Sequence, residues 1–248
     1  MLDGQVAIIT GSSRGIGRAT AELFAKNGAK VVITGRDEAL LREVADNINA
    51  ADQKRCVYHA CDMGDLEESQ KLFDLAMESF GRLDILVCNA GMALREPSLD
   101  MSLDNWKRVM DVNLTAPLVL ARICLKHFRE RKSGKVVFVS SGAAKNPHLG
   151  ASPSYGASKA GLVYLTRHFA AEFVKDNVRV NAVAPGPVDT DITKSWSPEH
   201  RAKVLANLPM GRLGLPIDIA YPILFLASDM SAYINGECLA VNGGTSMD

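Results

Sequence analysis

Tyr155 and Lys159 stand four residues apart in the run Tyr155-Gly156-Ala157-Ser158-Lys159, a spacing that puts a phenol and an ammonium one turn apart on one helix face. A tyrosine near pKa 10 is a poor acid–base group at neutral pH, and a neighbouring cation favours its phenolate. The pair is expected to move a proton at oxygen, protonating a carbonyl or deprotonating an alcohol. Such spacing occurs on many helices, so its meaning depends on the groups around it. One such group is Thr10-Gly11-Ser12-Ser13-Arg14-Gly15-Ile16-Gly17. Its glycines permit close approach of a diphosphate to the amides that open a helix, whose positive end favours the charge. The spacing is GxxxGxG rather than GxGxxG, so the segment reads as a distinct phosphate turn.

A dinucleotide fold uses an acidic residue about 20 positions further on to hold the adenosine ribose, whereas this chain has Thr34-Gly35-Arg36 there. Gly35 leaves space, and Arg36 offers a planar, charge-assisted fork to a 2′-phosphate. Arg14 is a second candidate clamp. NADP(H) is therefore expected over NAD(H), with Asp37 available either to pair with Arg36 or to serve a ribose hydroxyl.

These groups need elements to position them. Val6 to Thr10 reads as a strand that runs through the glycine turn into a helix over Ile16 to Lys26. The alternation continues with strand Val31–Thr34, helix Glu38–Asn49, strand Cys56–Cys61, helix Leu66–Phe80 and strand Leu83–Cys88. A long helix over Leu103–Arg131, strand Lys135–Ser140, helix Ser154–Lys175 and strand Val178–Val183 follow. Ser197-Pro198-Glu199 resembles an N-cap with proline at N1, opening a short helix to about Leu208. Helix Ile217–Ser228 and strand Glu237–Val241 close the pattern. Strands apolar on both faces, alternating with amphipathic helices, specify a doubly wound α/β fold with a parallel sheet and helices on both sides. No linker, repeat or low-complexity run divides residues 1–248, so a single dinucleotide-binding and catalytic domain is expected, with residues 187–216 as a substrate lid.

Composition narrows the partners. Lys plus Arg (28) balances Asp plus Glu (28), which argues against a nucleic acid or an anionic membrane surface. The apolar runs are strand-length, far short of a membrane span of roughly 18 residues. Met1-Leu2-Asp3-Gly4 enters a strand at once, so no signal peptide and cytoplasmic residence are the expectation. The five cysteines, Cys56, Cys61, Cys88, Cys124 and Cys238, are scattered and read as small core residues. His59, His127, His148, His168 and His200 are dispersed without ligand spacing, so no metal is expected.

Taken together, the motifs make the chain resemble the short-chain dehydrogenase/reductase family along essentially its whole length. The resemblance rests on Thr10–Gly17, Asn89-Ala90-Gly91, Asn113, Ser140-Ser141, Tyr155–Lys159 and Pro185-Gly186. It implies a Rossmann fold with Tyr155 as acid/base, Lys159 as pKa modulator and ribose contact, Ser141 as the hydroxyl orienting the substrate oxygen, and Asn113 as holder of a water relay. A serine hydroxyl both donates and accepts, which suits that task. Gly142 to Ser154 is about one residue longer than the family's usual segment, which keeps Ser140 as an alternative to Ser141. The resemblance also implies cofactor contacts from Gly11, Ser13, Arg14, Gly15, Ile16, Gly17, Arg36, Asp62, Met63, Asn89, Ala90, Gly91, Tyr155, Lys159, Pro185, Gly186, Val188 and Thr190.

The implied reaction is hydride transfer between a nicotinamide and a carbonyl or secondary alcohol, as in the ketoacyl carrier-protein reductases, carbonyl reductases and sugar or polyol dehydrogenases of similar length. Alternatives are an NAD-linked sugar or polyol dehydrogenase and a non-catalytic NADP(H) sensor, the latter having no need of Tyr155 and Lys159. Arg129, Arg131 and Lys132 could face an acidic carrier protein or simply be a solvated helix end, and Arg95 could meet a substrate hydroxyl or carboxylate. Family members of this length form tetramers, for which Phe169, Phe173, Leu224 and Phe225 offer either an interface or internal core.

Overall fold

The computed structural model describes residues 1–51, 54–194 and 196–247. Among them, β1 (Val6–Ile9), β2 (Lys30–Gly35), β3 (Cys56–Ala60), β4 (Ile85–Cys88), β5 (Gly134–Val139), β6 (Val178–Pro185) and β7 (Cys238–Val241) form one sheet. All pairings are parallel, in the order β3-β2-β1-β4-β5-β6-β7. The order reverses between β1 and β4, so their carboxyl ends open the crevice in which such sheets bind ligands.

The two-residue period of the strands divides the core. Val6, Ile8, Val136 and Phe138 point to one side and pack with α3 (Glu68–Phe80), α5 (Ala116–Arg131) and α6 (Pro153–Phe173). Ala7, Ile9, Val137 and Val139 point to the other and pack with α1 (Gly15–Lys26), α2 (Glu38–Ala51) and α9 (Pro216–Ala227). The doubly wound α/β class expected from the alternation is the observed one. Short helices α7 (Asp191–Lys194) and α8 (Pro198–Ala206) lie between β6 and α9, with α8 where Ser197-Pro198 announces it.

Periodicity misses one interruption. The long helix expected over residues 103–131 is α4 (Leu103–Met110), a π-helical turn at Asp111–Thr115, and α5. At its end the Ala116 amide reaches back five residues to the Asp111 carbonyl. Pro117 has no N–H and therefore cannot make the ordinary bond to the carbonyl four residues back, that of Asn113. The wider turn accommodates it, as such turns commonly do at functional sites.

The expected interface residues also resolve. Phe169, Phe173 and Leu224 are buried in the core and Phe225 packs against it, so their apolar faces are spent internally. Cys56, Cys88, Cys124 and Cys238 are buried, and Cys61 is half-buried; all five are free thiols. No helix among the described residues is long and apolar enough to cross a membrane.

Asp84 ties the amino ends of the central strands together. Its carboxylate accepts from the Val6 amide at 2.9 Å, from Arg82 at 2.7 and 2.9 Å, and from Arg131 at 3.2 Å. Burial raises its pKa, but the Arg82 bonds, the Val6 amide and the Arg131 charge outweigh that and hold the carboxyl below its ordinary value. Asp84→Ala strips one acceptor from three donors at a nearly buried position, so we expect a loss of about 3 kcal/mol. Urea denaturation of the two proteins measures it.

Candidate active site

The first strand ends on a clamp. The Thr10 hydroxyl accepts from the Asn89 and Ala90 amides at 3.0 Å each, and the Asn89 side-chain amide returns bonds to the carbonyls of Thr10 (2.9 Å) and Gly11 (3.0 Å). These bonds fasten the glycine turn to the end of β4. Only glycine fits at its tightest point: a Cβ on Gly17 would sit 2.2 Å from the Gly11 carbonyl oxygen, and one on Gly11, whose φ is +68°, would sit 2.8 Å from Ala90 Cα. At Gly11, Gly15 and Gly17 the backbone around the start of α1 carries no side chain, as close approach of a diphosphate requires. Ser13 is buried beneath it. Sequence reading gave Thr10 no role, because a threonine at a strand end carries no signal until its partner strand is known.

The turn faces the segment that follows β6. A Cβ on Gly15 would touch Thr190 at 3.4 Å, and Arg14 pairs with Asp191 at 3.1 Å. Gly186 donates to the Val241 carbonyl at 3.0 Å, Val188 is buried in a bridge with Gly214, and the Thr190 amide donates to the Thr193 hydroxyl at 2.9 Å. Pro185 to Thr190 is thus held beside the glycine turn from the far side of the crevice.

The adenosine end differs from expectation in three details. The space credited to Gly35 holds the Ser13 side chain: a Cβ there would lie 3.1 Å from Ser13 Oγ. Arg14 is partnered by Asp191 and approaches Asp37 at 3.8 Å, so a phosphate clamp there must displace carboxylates. Asp37 accepts from the Leu40 amide at 3.2 Å and caps α2. Arg36 is exposed beside the end of β2, and its charge reaches Asp62.

Asp62 and the buried Met63 follow β3. Asp62 accepts from the Gly64 amide at 2.8 Å and pairs with Arg108 of α4. Burial raises the Asp62 pKa, while the Gly64 amide and Arg108 lower it more, leaving the carboxyl below its ordinary value.

At the carboxyl end of β5 the two serines separate. Ser140 is buried and donates to the Lys159 carbonyl at 2.9 Å, so its hydroxyl is committed to holding α6 against the sheet. Ser141 accepts from the Ala143 amide at 3.2 Å, and its hydroxyl lies near enough to the Tyr155 phenol to favour the phenolate. Of the pair, Ser141 is the one whose oxygen meets Tyr155.

Lys159 is almost wholly buried, and its ammonium donates to the Val139 carbonyl at 2.9 Å. It lies 5.9 Å from the centre of the Tyr155 ring. Burial lowers its pKa to about 8. Burial raises that of Tyr155, with the nearby Ser141 hydroxyl a smaller opposing influence. The expectation that Lys159 pulls Tyr155 toward the phenolate is therefore not met in the protein alone. The cation is turned to the Val139 carbonyl, and burial dominates both groups.

Asn113 is fully buried within the π turn. Its side chain accepts from the Met92 amide at 2.8 Å and donates to the Met92 carbonyl at 2.9 Å and to Ser158 Oγ at 3.1 Å. Ser158 in turn donates to the Tyr155 carbonyl at 2.7 Å. A Cβ on Gly91 would lie 3.3 Å from the Lys159 ammonium and 3.4 Å from the Asn113 oxygen. Tyr155, Lys159, Ser141, Asn113 and Gly91 are thus gathered at the strand ends of the crevice, a phenol beside a hydroxyl with a cation close by.

Other candidates fall away from this cluster. Arg129 pairs with Asp176 and Glu172, Lys132 with Asp176, and Arg131 with Asp84. These pairs lie at the surface, and Arg129 and Lys132 stay half exposed or more. Arg95 is exposed on the loop after Gly91. The histidines are less dispersed than their spacing suggests: His59 meets Cys61 and Glu68.

Residues 11–246 match the family model described as enoyl-(acyl carrier protein) reductase. The chain is 38% identical over 246 residues to a 3-oxoacyl-[acyl-carrier-protein] reductase of Vibrio cholerae, covering 99% of both chains. It is 38% identical to an uncharacterized short-chain type dehydrogenase/reductase of Sinorhizobium fredii, covering 98% of each. Among solved structures, a Beutenbergia cavernae protein provisionally assigned as an NAD(P)-dependent gluconate 5-dehydrogenase, with NADP bound at low occupancy, superposes with a TM-score of 0.92 at 37% identity, over 98% of this chain and 97% of that one. A short-chain dehydrogenase of Bacillus anthracis superposes with a TM-score of 0.89 at 33% identity, over 100% and 99%.

Proposed function

Because the chain belongs to the short-chain dehydrogenase/reductase family of oxidoreductases, we propose that it is an NADPH-dependent reductase of a carbonyl group in a small or carrier-bound substrate, with Tyr155 as the proton donor. The observation that carries the reading is the Tyr155 phenol set beside the Ser141 hydroxyl and the buried Lys159 ammonium, at the end of a crevice whose floor is opened by Gly11, Gly15 and Gly17. A purely structural role accounts poorly for a lysine buried next to a carbonyl rather than a carboxylate.

A nicotinamide dinucleotide, when bound, supplies the hydride. The residues present fit one: Gly11, Gly15 and Gly17 offer bare amides to a diphosphate, Arg36 a guanidinium to a 2′-phosphate, and Pro185 to Thr190 the opposite wall. Ser141 positions the substrate oxygen against Tyr155 by accepting and donating in turn. Tyr155 gives its proton to that oxygen. Lys159 holds positive charge close to the phenol as its proton leaves, which stabilises the developing phenolate. Asn113, fixed by Met92 and Ser158, lines the route by which solvent reprotonates the site. Residues 187–216 serve as the substrate lid.

Relatives named as ketoacyl reductases and a gluconate dehydrogenase support ketoacyl thioesters and keto sugars as substrates to compare. Arg129, Arg131 and Lys132 keep 50%, 32% and 65% of their side chains exposed despite their ion pairs, so this helix end stays available to an acidic carrier protein. A cytoplasmic homotetramer remains our expectation, and light scattering measures the assembly. NADPH oxidation across ketoacyl thioesters, ketones, aldehydes and keto sugars tests the reaction. If Arg36 holds the 2′-phosphate through a charge-assisted bond of about 2 kcal/mol, Arg36→Ala lowers kcat/KM for NADPH by roughly thirtyfold and leaves NADH little changed. An equal loss with both cofactors would remove Arg36 from that role.

A further inference from the structure

The end of β3 and the start of α3 bring together three side chains that the reaction does not use. His59 and Cys61 are two residues apart on an extended backbone, a spacing that directs both side chains to one face. Glu68, the first residue of α3, turns back over that face. Their donor atoms all lie within 4.8 Å of one another. His59 Nε2 and Glu68 Oε2 are already hydrogen-bonded, and Cys61 Sγ rests 3.0 Å from the Thr34 hydroxyl. Lys71, well exposed, holds the other Glu68 oxygen at 2.6 Å, so an ammonium now meets part of that carboxylate's charge.

We propose that His59, Cys61 and Glu68 form a binding site for a thiophilic divalent cation of the zinc type. One imidazole nitrogen, one thiolate and one carboxylate oxygen are the ligands such an ion takes, with a water completing a tetrahedron. The thiolate selects against Mg²⁺ and Ca²⁺, which take oxygen ligands. On binding, the Cys61 thiol releases its proton to solvent, the proton that His59 Nε2 donates to Glu68 is exchanged through solvent so that the imidazole carries its hydrogen on Nδ1 and offers the Nε2 lone pair to the ion, and Lys71 is free to swing into water. The four other thiols are buried in the core, so a thiolate–metal signal reports on Cys61. The site bridges the strand that ends at Ala60 and the helix that begins at Glu68. Its function is to lock that junction, independently of the reaction proposed above.

Tag-free protein stripped with a chelator and titrated with Co²⁺ by equilibrium dialysis tests this. One Co²⁺ per chain is expected, with a thiolate-to-cobalt charge-transfer band that Zn²⁺ abolishes by displacement. Cys61→Ser eliminates the band. Partners outside a coordination shell are already worth about tenfold in affinity, so Glu68→Gln, which keeps the thiol, weakens binding by at least about tenfold while retaining the band. Absence of stoichiometric binding, a band that survives Cys61→Ser, or unchanged affinity in Glu68→Gln would each overturn the proposal.

Discussion

Tyr155→Phe is expected to lower kcat for carbonyl reduction by about a thousandfold, in line with the loss of one positioned proton donor, while cofactor affinity stays near that of the parent protein. The substitution deletes one oxygen from a side chain whose ring packs beside Lys159, so the fold has little reason to change. The direction of the Tyr155 pKa adds a pH signature. Burial holds the phenol above its ordinary 10, so in the free enzyme it is protonated throughout the neutral range. Reduction, which needs the phenol, should not decline for want of that proton until strongly alkaline pH. Alcohol oxidation, which needs the phenolate, should instead rise as pH rises. Near-parental turnover in a correctly folded Tyr155→Phe would remove Tyr155 from the chemistry.

Lys159→Met should give the opposite pairing of effects: an inactive protein that is more stable than its parent. The buried ammonium has a pKa of about 8 against an ordinary 10.5, and that gap corresponds to about 3 kcal/mol of penalty. Losing the bond to the Val139 carbonyl costs about 1 kcal/mol, leaving a net gain of about 2 kcal/mol at pH 7. Because the folded pKa lies below the unfolded one, the parent carries the full penalty below pH 8 and sheds it as pH rises toward 10.5. Chemical denaturation at pH 7 and pH 10 checks the sign. The variant should lead at pH 7 and lose that lead by pH 10. A variant less stable than the parent at pH 7 would show that Lys159 is there for stability rather than for function.

Much of this was legible in the sequence because local rules agreed with the fold. The strand runs, the glycine turn and the Tyr155–Lys159 spacing each depend on neighbours a few residues away, and each folded as read. What escaped reading depended on distant partners. Helical periodicity continues unbroken through Asp111–Thr115, so the π turn that presents Asn113 is silent, although Pro117 four residues on is its one local trace. Phe169, Phe173 and Leu224 have the same apolar character in a core as at an interface. Arg14 and Arg129 are cations whose carboxylates, Asp191 and Asp176, lie 177 and 47 residues away. The Tyr155 pKa was misjudged in direction because spacing gives the distance to Lys159 but neither the burial of both groups nor the Val139 carbonyl that occupies the ammonium. His59 and Cys61 sit two apart on a strand in plain view, yet Glu68 becomes their neighbour only when α3 turns back.

The most direct test follows hydride itself. Incubating the protein with NADPH deuterated at the transferable nicotinamide position and the ketoacyl, ketone and keto-sugar panel should place one deuterium on the carbinol carbon of a reduced product, in step with cofactor oxidation. Tight NADPH binding with no oxidation and no labelled alcohol across the panel would contradict the account and leave a cofactor-binding protein without turnover.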